Sequence, residues 1–206
     1  MAERDDTDVT ASTGTVGVLV VANDEFARRL RLVGPDDWWR PTPCSEWEVR
    51  ALVNHVVGGC VRHQMLLHGA QAHEVEATRV IDHLGADPMT AFAAAAGAVV
   101  SRFCEDGALE RNVHHAAGDR TGRELLSMRV LDSAIHSWDL ARAIGAEETL
   151  DDEVITFLLA YTAGLDLRPG QRAFAPADAD APRDASSQDQ LLHRLGRHPN
   201  ITEEVP

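Results

Sequence analysis

The chain has 206 residues, and its 19 basic residues against 33 aspartates and glutamates give a formal net charge of −14 at pH 7. All of the basic residues are arginines. So acidic a chain lacks the clustered cations that displace counterions from phosphate, which argues against sequence-independent nucleic-acid binding and against an anionic membrane surface. The share of hydrophobic residues, 44%, is that of a globular protein, and we expect one domain.

The cysteines and the N-terminal segment indicate the cellular compartment. Cys44, Cys60 and Cys104 are irregularly spaced and form neither a disulfide framework nor a zinc-knuckle pattern, which suits a reducing cytosol. The first residues, MAERDDTDVTASTG, are acidic and polar, so we expect no signal peptide. The longest apolar stretches, VGVLVVA and AFAAAAGAVV, are too short to span a bilayer. We therefore expect a cytoplasmic protein that binds no membrane.

The first part of the chain predicts a leader and two helices. Residues 1–14 are polar and lack an apolar period, so we expect a disordered leader. A helical pattern begins at Val16 and ends at Gly34-Pro35, because proline cannot continue the hydrogen-bond ladder. The Ser45–Glu48 segment fits a capping box and predicts a helix over about residues 46–68.

Two further helices are predicted in the middle of the chain. Asp87 followed by Pro88 is typical of a helix N-terminus, and the alanine-rich helix continues to about Glu105. Residues 106–120 predict an extended connection or a short strand. Thr121-Gly122-Arg123-Glu124 is a second capping box, whose helix ends at Gly145.

The C-terminal part predicts one more helix and a tail. The helix begins near Asp151 or Asp152 and ends before Arg168-Pro169-Gly170. Residues 169–206 form a Pro/Asp-rich tail, expected to pack on the bundle, with a short amphipathic piece, QLLHRLGR. Five helical segments with almost no strand signal predict an all-α helical bundle over residues 15–168.

Helical spacing decides which of the ten histidines can act together. A metal site needs three or four donors within about 2.0–2.3 Å of one point. His63, His68 and His73 are separated by five residues, about 140° of rotation, and so cannot share a helix face. We expect most histidines to lie at the surface or in loops: His63, His68, His73, His83, His114, His115, His193 and His198.

Asp132 and His136 are the pair that spacing favours. They are four residues apart, so they lie on one strip of the same helix, together with Asp139 and apolar residues above and below. Burying an unpaired carboxylate there costs several kcal/mol unless a partner or a cation compensates. A simple Asp–His ion pair is the alternative to a metal site.

His55 lies among apolar and small residues on its own helix. A lone histidine in such a place is more often a core residue than a ligand. Two helices that each present inward donors are nevertheless how helix bundles build metal sites, and His55 with Asp132 and His136 gives a two-histidine, one-carboxylate set with open positions. Gly58 and Gly59 leave room for a ligand or for close helix approach, and Arg62 can meet a substrate carboxylate or neutralise the acidic interior.

Two stretches of the sequence together resemble a known family. PTPCSEWEVRALVNHVVGG, followed about eighty residues later by LDSAIHSWDLARAIG, is similar to the DinB-like superfamily, in the branch of the mycothiol-dependent maleylpyruvate isomerases. The likeness extends over about residues 16–200. It implies a DinB-like four-helix bundle with an additional C-terminal helix and an extended tail. It also implies a divalent metal, most often zinc, that activates a low-molecular-weight thiol, which is mycothiol in an actinobacterial host.

The resemblance also implies roles for residues. By motif position His55 and His136 match the first and last histidine ligands of the family, and Asp132 lies where the isomerase carries glutamate. We expect Asp139 to orient a ligand imidazole or a water on the metal, or else to pair with Arg142 or Arg62. The candidate substrate-binding residues are Gly59, Arg62 and Asp139. We expect no separate C-terminal domain of the isomerase type.

Three functions fit these expectations. The first is a mycothiol-dependent S-transferase or isomerase acting on a small molecule. The second is a metal-dependent hydrolase or lyase that uses no thiol, and the third is a non-catalytic small-molecule-binding module. We expect a monomer or homodimer whose partners are a small-molecule substrate and a thiol. Cys44 is expected to be a packing residue, and the four tryptophans, Trp38, Trp39, Trp47 and Trp138, core or bundle-cap aromatics.

Overall fold

The computed structural model describes residues 6–165, 174 and 181–199, with side chains from residue 14 onward. Its helices are α1 Asp6–Leu30, α2 Val49–Leu67, α3 Ala72–Glu76, α4 Pro88–Phe103, α5 Gly122–Ile144, α6 Asp152–Ala163 and α7 Ser187–Arg194. Short 3-10 helices lie at Asp37–Trp39 and Ala77–Val80, and two strands, β1 Asn112–His115 and β2 Gly118–Thr121, form an antiparallel hairpin. No helix of these described segments is both long and apolar enough to cross a bilayer.

Four long helices form the bundle. Helix α1 contacts α5 and α4, and α2 contacts the same two helices from the other side, so the order around the bundle is α1, α5, α2, α4. Helix α6 packs against α1 and α5, and α7 packs against α6. In the described part of the tail, α7 and the turn after it bury Leu191, Leu192 and Leu195 completely. The expected all-α DinB-like bundle with an additional C-terminal helix is confirmed.

Most predicted helix ends are found where local chemistry favours them. The Asp87 carboxylate accepts a hydrogen bond from the Thr90 amide, with Pro88 at the first helical position of α4. At α5, Thr121 and Glu124 form the reciprocal capping box. Gly145 ends α5 at φ 71°, a left-handed conformation that glycine adopts without steric cost.

The capping box predicted at Ser45 is wrong, and α2 begins at Val49 with Glu48 as its N-cap. Residues 41–48 form a closed loop instead, because the Val49 amide donates to the Arg40 carbonyl at 3.0 Å and Pro41 pairs with Glu48. The Thr42 hydroxyl closes the loop further by donating to the Trp47 carbonyl at 2.8 Å. These contacts satisfy backbone groups that a helix begun at residue 46 would have used.

Helix α1 begins at Asp6, ten residues before the predicted start at Val16. Residues 6–14 of the expected leader are therefore helical, and residues 1–5 lie outside the described residues. Once a helix is nucleated, each added residue gains one backbone hydrogen bond, so a polar segment can extend a helix without an apolar period. Much of the predicted tail, residues 169–173, 175–180 and 200–206, also lies outside the described residues.

The β-hairpin fulfils the expectation of an extended segment before α5. Its register pairs Asn112 with Thr121 and His115 with Gly118. Gly122 then lies so close to the preceding turn that a Cβ atom would be 1.9 Å from the Ala108 carbonyl oxygen. The hairpin therefore leads directly into α5, and the close contact between Gly122 and Ala108 at this junction is one that only glycine permits.

Candidate metal centre

Helices α2 and α5 bring His55, Asp132 and His136 together in the bundle. One potential ligand atom from each residue lies within 4.8 Å of the other two. His55 Nε2 is 2.9 Å from Asp132 Oδ1, and His136 Nε2 is 3.5 Å from the same oxygen. The three residues that the sequence singled out are thus neighbours, with the carboxylate facing both imidazoles.

Gly59 allows α2 and α5 to make this contact. A Cβ atom at Gly59 would lie 1.9 Å from Arg129 Nη1 and 3.5 Å from Asp132 Oδ2. The space that a side chain would fill is therefore occupied by the Arg129 guanidinium. Of the two expectations for Gly59, close helix approach is what the structure shows, and contact with a substrate stays a prediction.

Arg129, which the sequence interpretation did not single out, holds Asp132. It is completely buried, and its Nη2 pairs with Asp132 Oδ2, on the opposite side of the carboxylate from the histidines. Its Nε donates to Ser133 Oγ at 3.3 Å, and Ser133 in turn donates to Asn23 Oδ1 at 2.9 Å. The i, i+3 spacing of Arg129 and Asp132 on α5 was a signal that could have revealed the pair.

Asp139 contacts the imidazole of His136 and a second arginine. Asp139 Oδ2 is 2.9 Å from His136 Nδ1, and Arg197 binds both carboxylate oxygens, with Nε 3.0 Å from Oδ1 and Nη2 2.7 Å from Oδ2. The predicted alternatives of Arg142 or Arg62 as its partner are wrong. Arg142 pairs with Glu148 instead. Arg197 comes from the C-terminal segment, 58 residues away, where helical spacing gives no signal.

The charges of the centre are balanced in pairs. Burial by itself would raise the pKa of both carboxyls. Arg129 and the two imidazoles nevertheless hold the pKa of Asp132 well below its usual range, and Arg197 with His136 lowers that of Asp139. Burial lowers the pKa of His55. At His136 the two carboxylates outweigh burial and raise the pKa. Both carboxylates are therefore ionised at neutral pH.

The donor set fits a divalent transition-metal cation. Buried polar atoms are nearly always hydrogen-bonded, yet the buried His136 Nε2 has no hydrogen-bond partner within the described part of the chain. Two imidazole nitrogens and one carboxylate oxygen are ligands that zinc and related cations accept, with positions left for exogenous ligands. The side chains of His55 and Asp132 are 18% and 15% exposed, whereas His136 is completely buried. Of the three side chains, those of His55 and Asp132 are therefore the ones that solvent reaches.

Aromatic rings cover the histidines. The Trp47 ring centre is 4.3 Å from that of His55 and 5.4 Å from that of His136, and Phe174 lies 5.5 Å from His136. Trp47 was expected as a core or cap residue, and its contact with the centre was missed. Trp47 does pack against the core, whereas Trp39 is not a core residue, since 66% of it is exposed. It lies in the 3-10 turn after α1, outside the packed helices.

Arg62 places a positive charge next to the centre. Its Nη2 donates to the His55 backbone carbonyl at 3.2 Å, although only 8% of the residue is exposed. Burial lowers the pKa of Arg62 to about 10, so the guanidinium stays charged at neutral pH. It forms no ion pair with any described carboxylate. A substrate carboxylate at Arg62 remains a prediction that this environment favours.

The buried cysteine thiols are poor nucleophiles. Burial raises the pKa of Cys44 to about 11, and it also raises the pKa of Cys60. Both remain protonated near neutral pH, when only the thiolate reacts efficiently. Cys44 lies in the buried core, as expected for a packing residue.

His63 differs from the surface position expected for it. Its Nδ1 lies 2.8 Å from the Gly59 carbonyl oxygen, and its Nε2 is sealed from solvent. Helix α2 packs against α4, α5 and β1. The face of α2 that carries His63, which we expected to be solvent-exposed, is therefore covered by neighbouring elements. By contrast His68, His73, His114 and His198 are exposed, as expected.

Comparison with known families and proteins agrees with this architecture. Residues 19–141 match the family described as the mycothiol maleylpyruvate isomerase N-terminal domain. Two Mycobacterium tuberculosis proteins described as uncharacterized, MT0763 of strain CDC 1551 / Oshkosh and Rv0738 of strain ATCC 25618 / H37Rv, are each 32% identical over 180 residues. Each alignment covers 85% of this chain and 93% of the relative.

Solved structures show the same fold. The crystal structure of the mycothiol-dependent maleylpyruvate isomerase matches with a TM-score of 0.57 and 17% identity, over 73% of this chain and 68% of that chain. A crystal structure of a single-residue variant of the isomerase matches with the same values. At this identity the likeness concerns the fold.

Proposed function

Because the chain belongs to the mycothiol maleylpyruvate isomerase N-terminal domain family, we propose that it is a metal-dependent enzyme that acts on small molecules with a low-molecular-weight thiol. The reaction is a mycothiol-dependent S-transfer or isomerisation. The proposed ligands are His55, Asp132 and His136, and zinc is the proposed metal. The observation that carries the proposal is the convergence of these donors around a buried imidazole nitrogen, His136 Nε2, that has no hydrogen-bond partner among the described residues.

The residues of the chain have separate roles in this proposal. When bound, a divalent cation lowers the pKa of a coordinated thiol and so supplies thiolate at neutral pH. Arg129 fixes the rotamer of Asp132 and leaves its Oδ1 facing the histidines. Trp47 covers the imidazole of His55 and excludes water from that side of the site.

The environment of the cysteines favours an external thiol. Cys44 and Cys60 stay protonated, and Cys104 is exposed at the end of α4. The chain thus offers no activated thiol of its own at the centre. A thiol cosubstrate fits this arrangement, and a reducing cytoplasm, expected from the cysteine usage, keeps such a cosubstrate reduced.

The buried Arg62 favours an anionic electrophile as the second substrate. Its guanidinium lies beside His55 and forms no salt bridge with a described carboxylate, although the charges of Asp132 and Glu76 act on it from further away. A substrate carboxylate at this position would offset the cost of burying the charge. We propose that Arg62 binds the substrate carboxylate while the thiol occupies the exposed side of His55 and Asp132.

The test is the dependence of turnover on both thiol and metal. Zinc-loaded protein is incubated with mycothiol and a panel of electrophiles that includes maleylpyruvate. We expect product only when thiol and metal are both present, loss of turnover after chelation, and loss in His136→Ala but not in His68→Ala, which alters an exposed histidine at the end of α2. Turnover that needs metal but no thiol would instead indicate a hydrolase or lyase. Absence of turnover across the panel would contradict an enzymatic role.

A further inference from the structure

The C-terminal segment, residues 181–199, reaches the candidate metal centre through one side chain. Arg197 is 5% exposed, and its guanidinium contacts both oxygens of Asp139. The oxygen that accepts from Arg197 Nη2 at 2.7 Å is also 2.9 Å from His136 Nδ1. A single carboxylate oxygen therefore joins the C-terminal segment to the imidazole of a proposed metal ligand.

This contact determines how His136 faces the centre. Because the ionised Asp139 carboxylate can only accept, it keeps a proton on Nδ1 of His136, and Nε2, which faces Asp132, is the nitrogen left to bind a cation. No other group of the described chain is hydrogen-bonded to His136 Nδ1. The hydrogen bond that orients the ring through Nδ1 thus depends on the position of one carboxylate.

Arg197 fixes that carboxylate in turn. A guanidinium that meets both oxygens of a carboxylate sets its plane as well as its place, which a single hydrogen bond cannot do. The Arg197 guanidinium is also held by the Leu195 carbonyl at 3.1 Å, and it lies 5.2 Å from the Phe174 ring, which itself packs on His136. The Arg197 guanidinium is consequently held by contacts to Asp139, Leu195 and Phe174.

We propose that Arg197 is a positioning residue of the metal centre: it holds Asp139 so that His136 presents Nε2 to the metal. The C-terminal segment is then a part of the site rather than a covering of the bundle. This inference rests on the proposed function, since it requires a metal at His136.

A second arginine, Arg142, makes it possible to distinguish two roles of the C-terminal segment: positioning Asp139 at the metal centre, and simply docking on the bundle. Arg142, on α5, donates to the carbonyls of His198 at 3.1 Å and Pro199 at 2.7 Å. It anchors the same segment to the same helix, but it has no hydrogen bond to Asp139 or His136. Arg142→Ala is therefore a matched control that loosens the segment and leaves the Asp139 contact intact.

The experiment measures zinc affinity by competition with a chromophoric chelator, using the full-length metal-free protein. We expect Arg197→Ala to weaken zinc binding about tenfold, the lower end of the effect of losing the partner of a ligand histidine, because Asp139 itself remains. Arg197→Lys should have an intermediate affinity, because an ammonium group cannot pair with both oxygens in one plane. Arg142→Ala should bind zinc as the wild type does.

Proton NMR of the metal-free protein gives a second readout that does not depend on metal or activity. A slowly exchanging His136 Nδ1 proton is expected in the wild type and in Arg142→Ala, and faster exchange in Arg197→Lys, a variant that keeps the charge if Arg197→Ala fails to fold. Wild-type zinc affinity in both Arg197 variants would overturn this inference alone. An equal loss of affinity in Arg142→Ala would also overturn it, by showing that only docking matters. A wild type that binds no zinc would overturn the proposed function together with it.

Discussion

Gly59 shows at the scale of one residue how the bundle accommodates a charged centre. An added Cβ would overlap Arg129 Nη1, and because Arg129 is completely buried and bonded to Asp132, its guanidinium has nowhere to move. We expect Gly59→Ala to lower the free energy of unfolding by about 1–3 kcal/mol, as overpacking does. We also expect weaker metal binding, because displacement of Arg129 disturbs Asp132. Urea unfolding and chelator competition measure the two effects.

Gly97 on α4 is the matched control for that substitution. Nothing lies within 4 Å of a Cβ built there, so alanine only improves the helix propensity. Gly97→Ala should raise the free energy of unfolding by about 0.5–1 kcal/mol. Equal stability of the two variants would show that α2 and α5 do not approach as closely at Gly59 as described.

Substitution of Arg62 tests whether the substrate carries a carboxylate that this residue binds. If it binds a substrate carboxylate, Arg62→Gln should raise KM for an anionic electrophile about tenfold or more, because a hydrogen bond to a charged group is lost. The KM for the thiol should not change. Steady-state kinetics with each substrate varied in turn measures both values. A parallel rise of both KM values would indicate general damage to the site and contradict the assignment.

His63 predicts a specific dependence of stability on pH. Burial lowers its pKa to about 3 in the folded protein, whereas the ordinary value is 6.5. Between these values the unfolded chain binds a proton that the folded chain does not. The stability contributed by the neutral imidazole is thus present above about pH 6.5 and is lost as the pH falls towards 3.

Replacement of His63 should therefore flatten the acid side of the stability curve. In metal-free protein, His63→Gln is expected to reduce the slope of the unfolding free energy against pH by up to about 1.4 kcal/mol per pH unit between pH 6.5 and pH 4. Urea unfolding at several pH values measures the slope. His68→Gln, at an exposed position just after the same helix, should leave it unchanged. Identical slopes in the His63 variant and the wild type would contradict the buried, neutral state.

At the scale of the element, two capping-box motifs differ in the structure, because the one at Thr121 forms and the one at Ser45 does not. Loss of each side chain should therefore change the free energy of unfolding by different amounts. Thr121 caps α5 through the Glu124 amide, so Thr121→Ala should lower the free energy of unfolding by about 1 kcal/mol. Ser45→Ala, at the motif that forms no cap, should change it by less than about 0.5 kcal/mol. Urea unfolding of both variants measures the difference, and a larger loss from Ser45→Ala would contradict the described start of α2.

These two motifs also show which elements the sequence predicts. The starts of α4, α5 and α6 depend on side chains that cap amides within three residues, so local patterns were sufficient. The start of α2 depends instead on Arg40, nine residues upstream, whose carbonyl accepts from the Val49 amide. A capping-box pattern contains no information about that contact, and the prediction at Ser45 was wrong for this reason.

At the scale of the whole molecule, the candidate ligands were predictable from local patterns on two helices. Asp132 and His136 are neighbours through helical spacing, His55 was proposed from its place among apolar and small residues on α2, and the family resemblance supported the set. Arg129 obeys the same spacing and could have been included. Arg197 could not, because it reaches Asp139 from the C-terminal segment through tertiary packing alone. The sequence therefore indicated the proposed ligands better than the groups that hold them in place.

The central claim is that His55, Asp132 and His136 bind one divalent cation. The most direct test is the metal content of protein purified without a histidine tag, determined by elemental analysis for the wild type and for His55→Ala, Asp132→Ala, His136→Ala and the exposed-site control His68→Ala. We predict about one equivalent of a divalent transition metal in the wild type and the control, and its loss in all three site variants. Full metal content in the site variants, or none in the wild type, would contradict the account.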